Sequence, residues 1–240
     1  MAAGRPGLGR FLRATSGRRA AGNLAGPAPA ALLFACLLAM CLATAARASA
    51  PVLVLGDSIS AAYGMSLEQG WVALLEHRLA ADGFKGQIVN ASISGDTSAG
   101  GLRRLPALLA EHEPQLLVLE LGGNDGLRGY PTTALRDNLT EMAELGIAAG
   151  ARVLILPMEI PPNYGARYTR SFRAAFREAA EASGARLGPF MLDGIATEIS
   201  LMQDDGIHPT AAAQPLIADL LEPVVKSLLD ESPAPVAAQP

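Results

Sequence analysis

Ser58 stands in the run Gly56-Asp57-Ser58-Ile59-Ser60, directly after four apolar residues, Val52-Leu53-Val54-Leu55. A serine hydroxyl is a weak nucleophile until a base takes its proton, and the chain offers 3 histidines for that task. His77 lies within a helical pattern and His112 near the end of another, between two glutamates, so both read as surface helix residues. His208 instead occupies a non-periodic loop, Asp204-Asp205-Gly206-Ile207-His208-Pro209-Thr210. Across a single turn, residues three apart point to the same side. Asp205 can then accept the Nδ1 hydrogen of His208 and leave Nε2 facing outward as a base. Asp204, four residues away, is the weaker partner. The competing readings are bland: Ser58 as only a helix N-cap, and His208 as a stray imidazole in a capping loop. An Asp/His pair without a third ligand nearby makes a poor metal site.

Acyl transfer also needs donors aimed at the developing oxyanion. Two further polar, glycine-rich loops offer them: Ser92-Ile93-Ser94-Gly95-Asp96-Thr97-Ser98 and Gly122-Gly123-Asn124-Asp125. Gly95 has no side chain to keep a ligand from its backbone N–H. Asn124 offers a side-chain amide where a carboxylate would repel the oxyanion, and the Ser58 N–H is the third donor. Each feature alone is weak, because a loop glycine is usually a turn and GGND is an ordinary turn sequence. Asp57 reads as a residue that fixes its turn by bonding nearby amides.

The elements that must position these loops follow from periodicity. Val52–Leu55, Gln87–Ala91, Leu116–Leu121, Val153–Leu156 and, less clearly, Leu187–Leu192 read as strands. Helical spacing covers Trp71–Ala80, Leu102–Ala110, Thr132–Ala149, Thr169–Ala182 and Ala211–Leu229. Near-continuous apolar strands alternating with helices predict a parallel sheet covered on both faces, a three-layer α/β/α sandwich. Ligands of such sheets bind beyond the carboxyl ends of the strands. The loops carrying Ser58, Gly95 and Asn124 all follow strands there.

Residues 1–50 stand apart from this fold. They hold six arginines and no acid, then the apolar segment Ala31–Ala46, then Ala-Arg-Ala-Ser-Ala. A basic start, a short apolar middle and an A-x-A ending predict a secretory signal peptide cut after Ala48 or Ala50. About 16 apolar residues fall short of the roughly 20 a membrane span needs, which weighs against a retained anchor. The lipoprotein and twin-arginine alternatives, at Leu33–Cys36 and Arg18-Arg19, are poor matches. The rest holds all 23 acidic residues but 13 of the 19 basic ones, a formal net charge of −10. That balance argues against nucleic-acid or anionic-membrane partners. Cys36 and Cys41, the 2 cysteines, both lie in the leader, so disulfides, a catalytic thiol and Cys-ligated metal are excluded from the mature chain. One domain over 51–230 and a frayed tail over 231–240 are expected, in a periplasmic or secreted protein.

The blocks GDSIS, NASISGDTS, LELGGNDGLRG and MQDDGIHPT together resemble the SGNH, or GDSL-type, hydrolases, and the resemblance spans Pro51 to about Leu229. This is not the α/β-hydrolase elbow G-x-S-x-G, since Ser60 stands at its fifth position. The resemblance implies Ser58 as nucleophile, His208 as base oriented by Asp205, and Gly95 and Asn124 as oxyanion donors. It also implies a flavodoxin-like α/β/α sandwich, no cofactor, and a broad taste for esters and thioesters; a monomer without a metal site, acting on a small-molecule ester or thioester, is expected. Leu105, Pro106, Met158, Ile160 and Pro161 are candidate pocket residues, although core packing explains them as well. The stretch Pro157–Gly165 resembles the family's mobile loop beside the acyl pocket, with different opening residues. The rival functions are a carbohydrate deacetylase on the same scaffold and a non-catalytic periplasmic binding module. The latter is expected to have lost Ser58, Asn124 or His208, and all three are present.

Overall fold

A computed structural model describes residues 50–231, so the expected signal peptide and almost all of the expected tail lie outside the described residues. Five strands form one parallel sheet: β1 (Val52–Gly56), β2 (Ile88–Asn90), β3 (Leu116–Glu120), β4 (Arg152–Ile155) and β5 (Arg186–Leu187). Their order is β2-β1-β3-β4-β5. The helices are α1 (Trp71–Ala81), α2 (Ser98–His112), α3 (Gly123–Leu127), α4 (Thr132–Ala148), α5 (Ala166–Ser183) and α6 (Gln214–Asp230).

The apolar runs became strands for the expected reason. Every residue of β1 and β3 is buried, so alternation would have served no purpose in a sheet covered twice. α1 packs on α6, while α4 packs on both α2 and α5. The connection from β1 to β2 runs one way along the sheet and that from β2 to β3 runs the other. Right-handed crossovers then place α1 and α2 on opposite faces. This is the three-layer α/β/α sandwich of flavodoxin-like order. Its chain reversal lies between β1 and β3, where such sheets open a crevice. Phe172 and Phe176, fully buried on α5, meet edge to face at 5.2 Å and pack close to Gly126 and Gly122, just past β3.

Several boundaries moved. The fifth strand is not Leu187–Leu192: only Arg186 and Leu187 pair with β4. Gly188 still donates to Ile155, but Pro189 has no N–H to continue the ladder, and the chain turns away. α2 starts at Ser98 rather than Leu102, because the Thr97 hydroxyl accepts the Gly100 N–H and caps a first turn that contains Gly100 and Gly101. The Gly122–Asp125 segment read as a turn opens the short helix α3. No helix among the described residues is long and apolar enough to cross a membrane.

Candidate active site

Ser58 follows β1 by two residues, in a turn where Tyr63 donates its N–H to the Ser58 carbonyl and Ala61 to that of Asp57. Its Oγ lies 2.8 Å from His208 Nε2 across 150 residues of sequence. The other ring nitrogen, Nδ1, lies 2.6 Å from Asp205 Oδ2. Asp205 Oδ1 accepts the backbone N–H groups of Ile207 and His208 at 2.9 and 3.0 Å. Burial pulls the Asp205 pKa upward, but those hydrogen bonds and the His208 charge outweigh it and bring it down to about 2. Asp205 is therefore an anion wherever the imidazole needs an acceptor for its Nδ1 hydrogen.

The histidine loop is pinned where it must reach back. Met202 and Pro209 form an antiparallel bridge, and Gln203 donates its N–H to the His208 carbonyl at 2.7 Å. The Gln203 side chain donates to the carbonyls of Tyr63 and Pro209. It thereby ties the nucleophile turn to the histidine loop. The Tyr63 ring covers the imidazole, with centroids 4.3 Å apart. Neither Gln203 nor Tyr63 carries a sequence signal of its own, since both act through three-dimensional neighbours.

The expected donors, Gly95 and Asn124, border the cavity onto which Ser58 opens. Gly95 takes φ +80°, a left-handed conformation that a side chain would strain, and it borders the same cavity as Ser58 and Asn124. Among the described residues, no hydrogen bond engages the N–H of Ser58 or of Gly95. Asn124 donates one Nδ2 hydrogen to Asp57 Oδ2 at 3.1 Å, and the second hydrogen of that amide remains available. Arg128 donates to the Gly95 carbonyl at 3.1 Å, and Ser98 gives Asp125 both its N–H and its hydroxyl, at 2.9 and 2.6 Å. The loop of Gly95 is thus fastened to the loop of Asn124.

Beneath the turn lies a feature absent from the expectations. Glu120, fully buried at the end of β3, accepts the Asp57 N–H at 3.1 Å and the Ser60 hydroxyl at 2.6 Å. Gly56 leaves room for it, since a Cβ there would lie 2.6 Å from Glu120 Oε2. Burial drives the Glu120 pKa well above its ordinary value, and the Asp57 charge adds to the rise. Burial also lifts Asp57 to about 6, against the opposing pull of Ile59, Asn124, His208 and Glu120. The available sequence signal was one acid inside the apolar run Leu116–Leu121.

These groups open on a cavity of about 930 Å³ whose apolar wall includes Leu127, Met158, Ile160, Pro161, Phe190 and Leu192. Met158, Ile160 and Pro161 border this cavity. Leu105 does not border the cavity: it is fully buried in the core, the packing role that the sequence left open. His77 is exposed on α1, and His112 lies partly buried at the end of α2 beside Glu111. Among the described residues no cluster of three or more His, Cys, Asp or Glu is arranged to hold a metal.

The family described as GDSL-like Lipase/Acylhydrolase matches residues 54–215. Esterase TesA of Pseudomonas aeruginosa is 52% identical over 199 residues, covering 83% of this chain and 99% of its own. Thioesterase 1/protease 1/lysophospholipase L1 of Escherichia coli K12 is 43% identical over 185 residues, covering 77% and 88%. The crystal structure of psychrotrophic esterase EstA from Pseudoalteromonas sp., inhibited by monoethylphosphonate, superposes with a TM-score of 0.73. It is 44% identical and covers 76% of this chain and all of its own. Sequence blocks, sheet order and relatives of nearly full length agree: the chain belongs to the GDSL-like lipase/acylhydrolase family.

Proposed function

We propose that this protein is a carboxylic ester hydrolase that cleaves esters and thioesters through an acyl-enzyme on Ser58. The observation that carries the reading is the 2.8 Å approach of His208 Nε2 to Ser58 Oγ, with Asp205 on the opposite ring nitrogen. His208 takes the Ser58 proton as the hydroxyl oxygen attacks the carbonyl carbon, and Asp205 holds the imidazolium that forms. The carbonyl oxygen gains negative charge and is met by the N–H groups of Ser58 and Gly95 and by the free Nδ2 hydrogen of Asn124. Collapse of the adduct expels the alcohol or thiol, which receives its proton from His208. Water then enters, loses a proton to His208 and releases the acid.

Esterase, thioesterase and lysophospholipase names among the relatives support this substrate class. So does the apolar wall of Met158, Ile160, Phe190 and Leu192, which suits an acyl chain better than the acetylated sugar of a deacetylase. The basic, apolar, A-x-A-ended leader supports a periplasmic or secreted protein whose working part runs from about residue 51 to 230. Rates on p-nitrophenyl esters of two to sixteen carbons test the reading. Medium-chain esters are expected to exceed acetate, and Ser58→Ala is expected to abolish turnover. Wild-type turnover by Ser58→Ala would end it.

A further inference from the structure

Two acids, Asp57 and Glu120, lie buried together under the nucleophile turn, at 2% and 0% exposure. Among the described residues neither is paired with a Lys or Arg cation, and two neighbouring carboxylates shielded from water cannot both stay ionised cheaply. Their hydrogen bonds divide the roles. Asp57 is served by donors to its charge, the Ile59 N–H at 3.1 Å and the Asn124 amide at 3.1 Å. Glu120 receives the Asp57 N–H and the Ser60 hydroxyl on Oε2 alone, while Oε1 is buried with no partner.

We propose that Glu120 is a positioning residue that carries a proton at working pH, so that Asp57 remains the anion that orients the Asn124 amide toward the reacting carbonyl. The role of Asn124 in this proposal rests on the reading given above. A proton on Glu120 lets it keep both accepted bonds while adding no second charge beneath the turn. The remaining charged group facing Asp57 is His208, whose positive form favours the Asp57 anion as well. During turnover the His208 imidazolium and the Asp57 anion therefore flank Ser58 while the acid below stays neutral. Nothing in this arrangement is consumed: Glu120 keeps its proton and acts through Asp57 and Asn124.

Infrared spectroscopy of the wild-type protein at pH 8 reads the proton directly. A protonated carboxyl C=O stretch is expected, and it is expected to vanish in Glu120→Gln. An absent band in the wild type, or one that survives in Glu120→Gln, would overturn the proposal. Steady-state kinetics supply the functional half. Glu120→Leu is expected to lower kcat by roughly tenfold or more with little change in KM, because the misplacement is of a group that acts in the transition state. Glu120→Gln, which mimics the neutral acid, is expected to restore most of that loss. If Glu120→Gln were as slow as Glu120→Leu, an ionised Glu120 would be required and the proposal would be wrong. The infrared band does not depend on ester hydrolysis. A failed Glu120 assignment and a failed Ser58 assignment therefore give different results.

Discussion

Asp205 holds His208 at two points, accepting from the ring Nδ1 at 2.6 Å and from the same residue's backbone N–H at 3.0 Å. The ring and its peptide therefore move as one unit, with the tautomer that leaves Nε2 as acceptor toward Ser58. Asp205→Asn keeps the shape but can offer its amide hydrogens to Nδ1, which favours the wrong tautomer. We expect kcat to fall by about 10³–10⁴, the size known for such a change in another serine hydrolase. A loss below tenfold in a p-nitrophenyl butyrate assay would separate Asp205 from the base.

Asn124 has one amide hydrogen committed to Asp57 and one available. Its removal takes away a donor that strengthens only as the carbonyl oxygen gains charge. Asn124→Ala is expected to lower kcat by roughly 10²–10³ with KM changed far less. A change confined to KM would place Asn124 in ground-state binding instead.

The pH dependence follows from Asp57. Its folded pKa, raised to about 6, lies above the ordinary 3.8. The folded protein thus binds this proton more tightly than the unfolded chain, and its contribution to stability is greatest at low pH and declines as pH rises from about 4 through 6. Asp205 behaves oppositely: its contribution is present above 3.8 and is lost as pH falls through about 2. Activity needs Asp57 as an anion, so its protonation removes activity as pH falls through about 6. Asp57→Asn, whose acceptor does not titrate, is expected to lack that contribution and to keep a larger share of its own maximal kcat below about pH 6 than the wild type does. Identical acid limbs in the two proteins would remove Asp57 from the pH dependence.

Asp125 fastens the two donor loops, with its carboxylate buried and accepting twice from Ser98. Asp125→Ala strands the Ser98 N–H and its hydroxyl. Each buried donor left without a partner costs about 1–3 kcal/mol, so for the two donors urea unfolding is expected to show a loss of roughly 2–6 kcal/mol. A loss under about 1 kcal/mol would mean that water replaces the carboxylate there.

Much of this molecule was legible because its signals are local. Four of five strands were readable from short runs rich in apolar residues, and Gly-rich loops marked the strand ends that the sheet order then brought together. His208 stood out because a histidine three residues after an acid, in a loop without periodicity, has few structural uses. The misreadings have tertiary causes. Gly100 and Gly101 look like helix breakers until the Thr97 cap is seen, and helical spacing alone does not say whether Leu105 faces the core or the cavity. Leu187–Leu192 has strand composition, but Pro189 cannot donate to β4. Glu120 was passed over because an acid in an apolar run acquires meaning only from what lies across the sheet, here Asp57 and Ser60.

Peptide mapping of the protein after reaction with diethyl p-nitrophenyl phosphate tests the central claim most directly. The account predicts one diethylphosphoryl group per chain, on Ser58, with activity lost in proportion, and no labelling of His208→Ala at a comparable rate. A label on another residue that accompanies the loss of activity, or full inactivation with Ser58 unmodified, would contradict it.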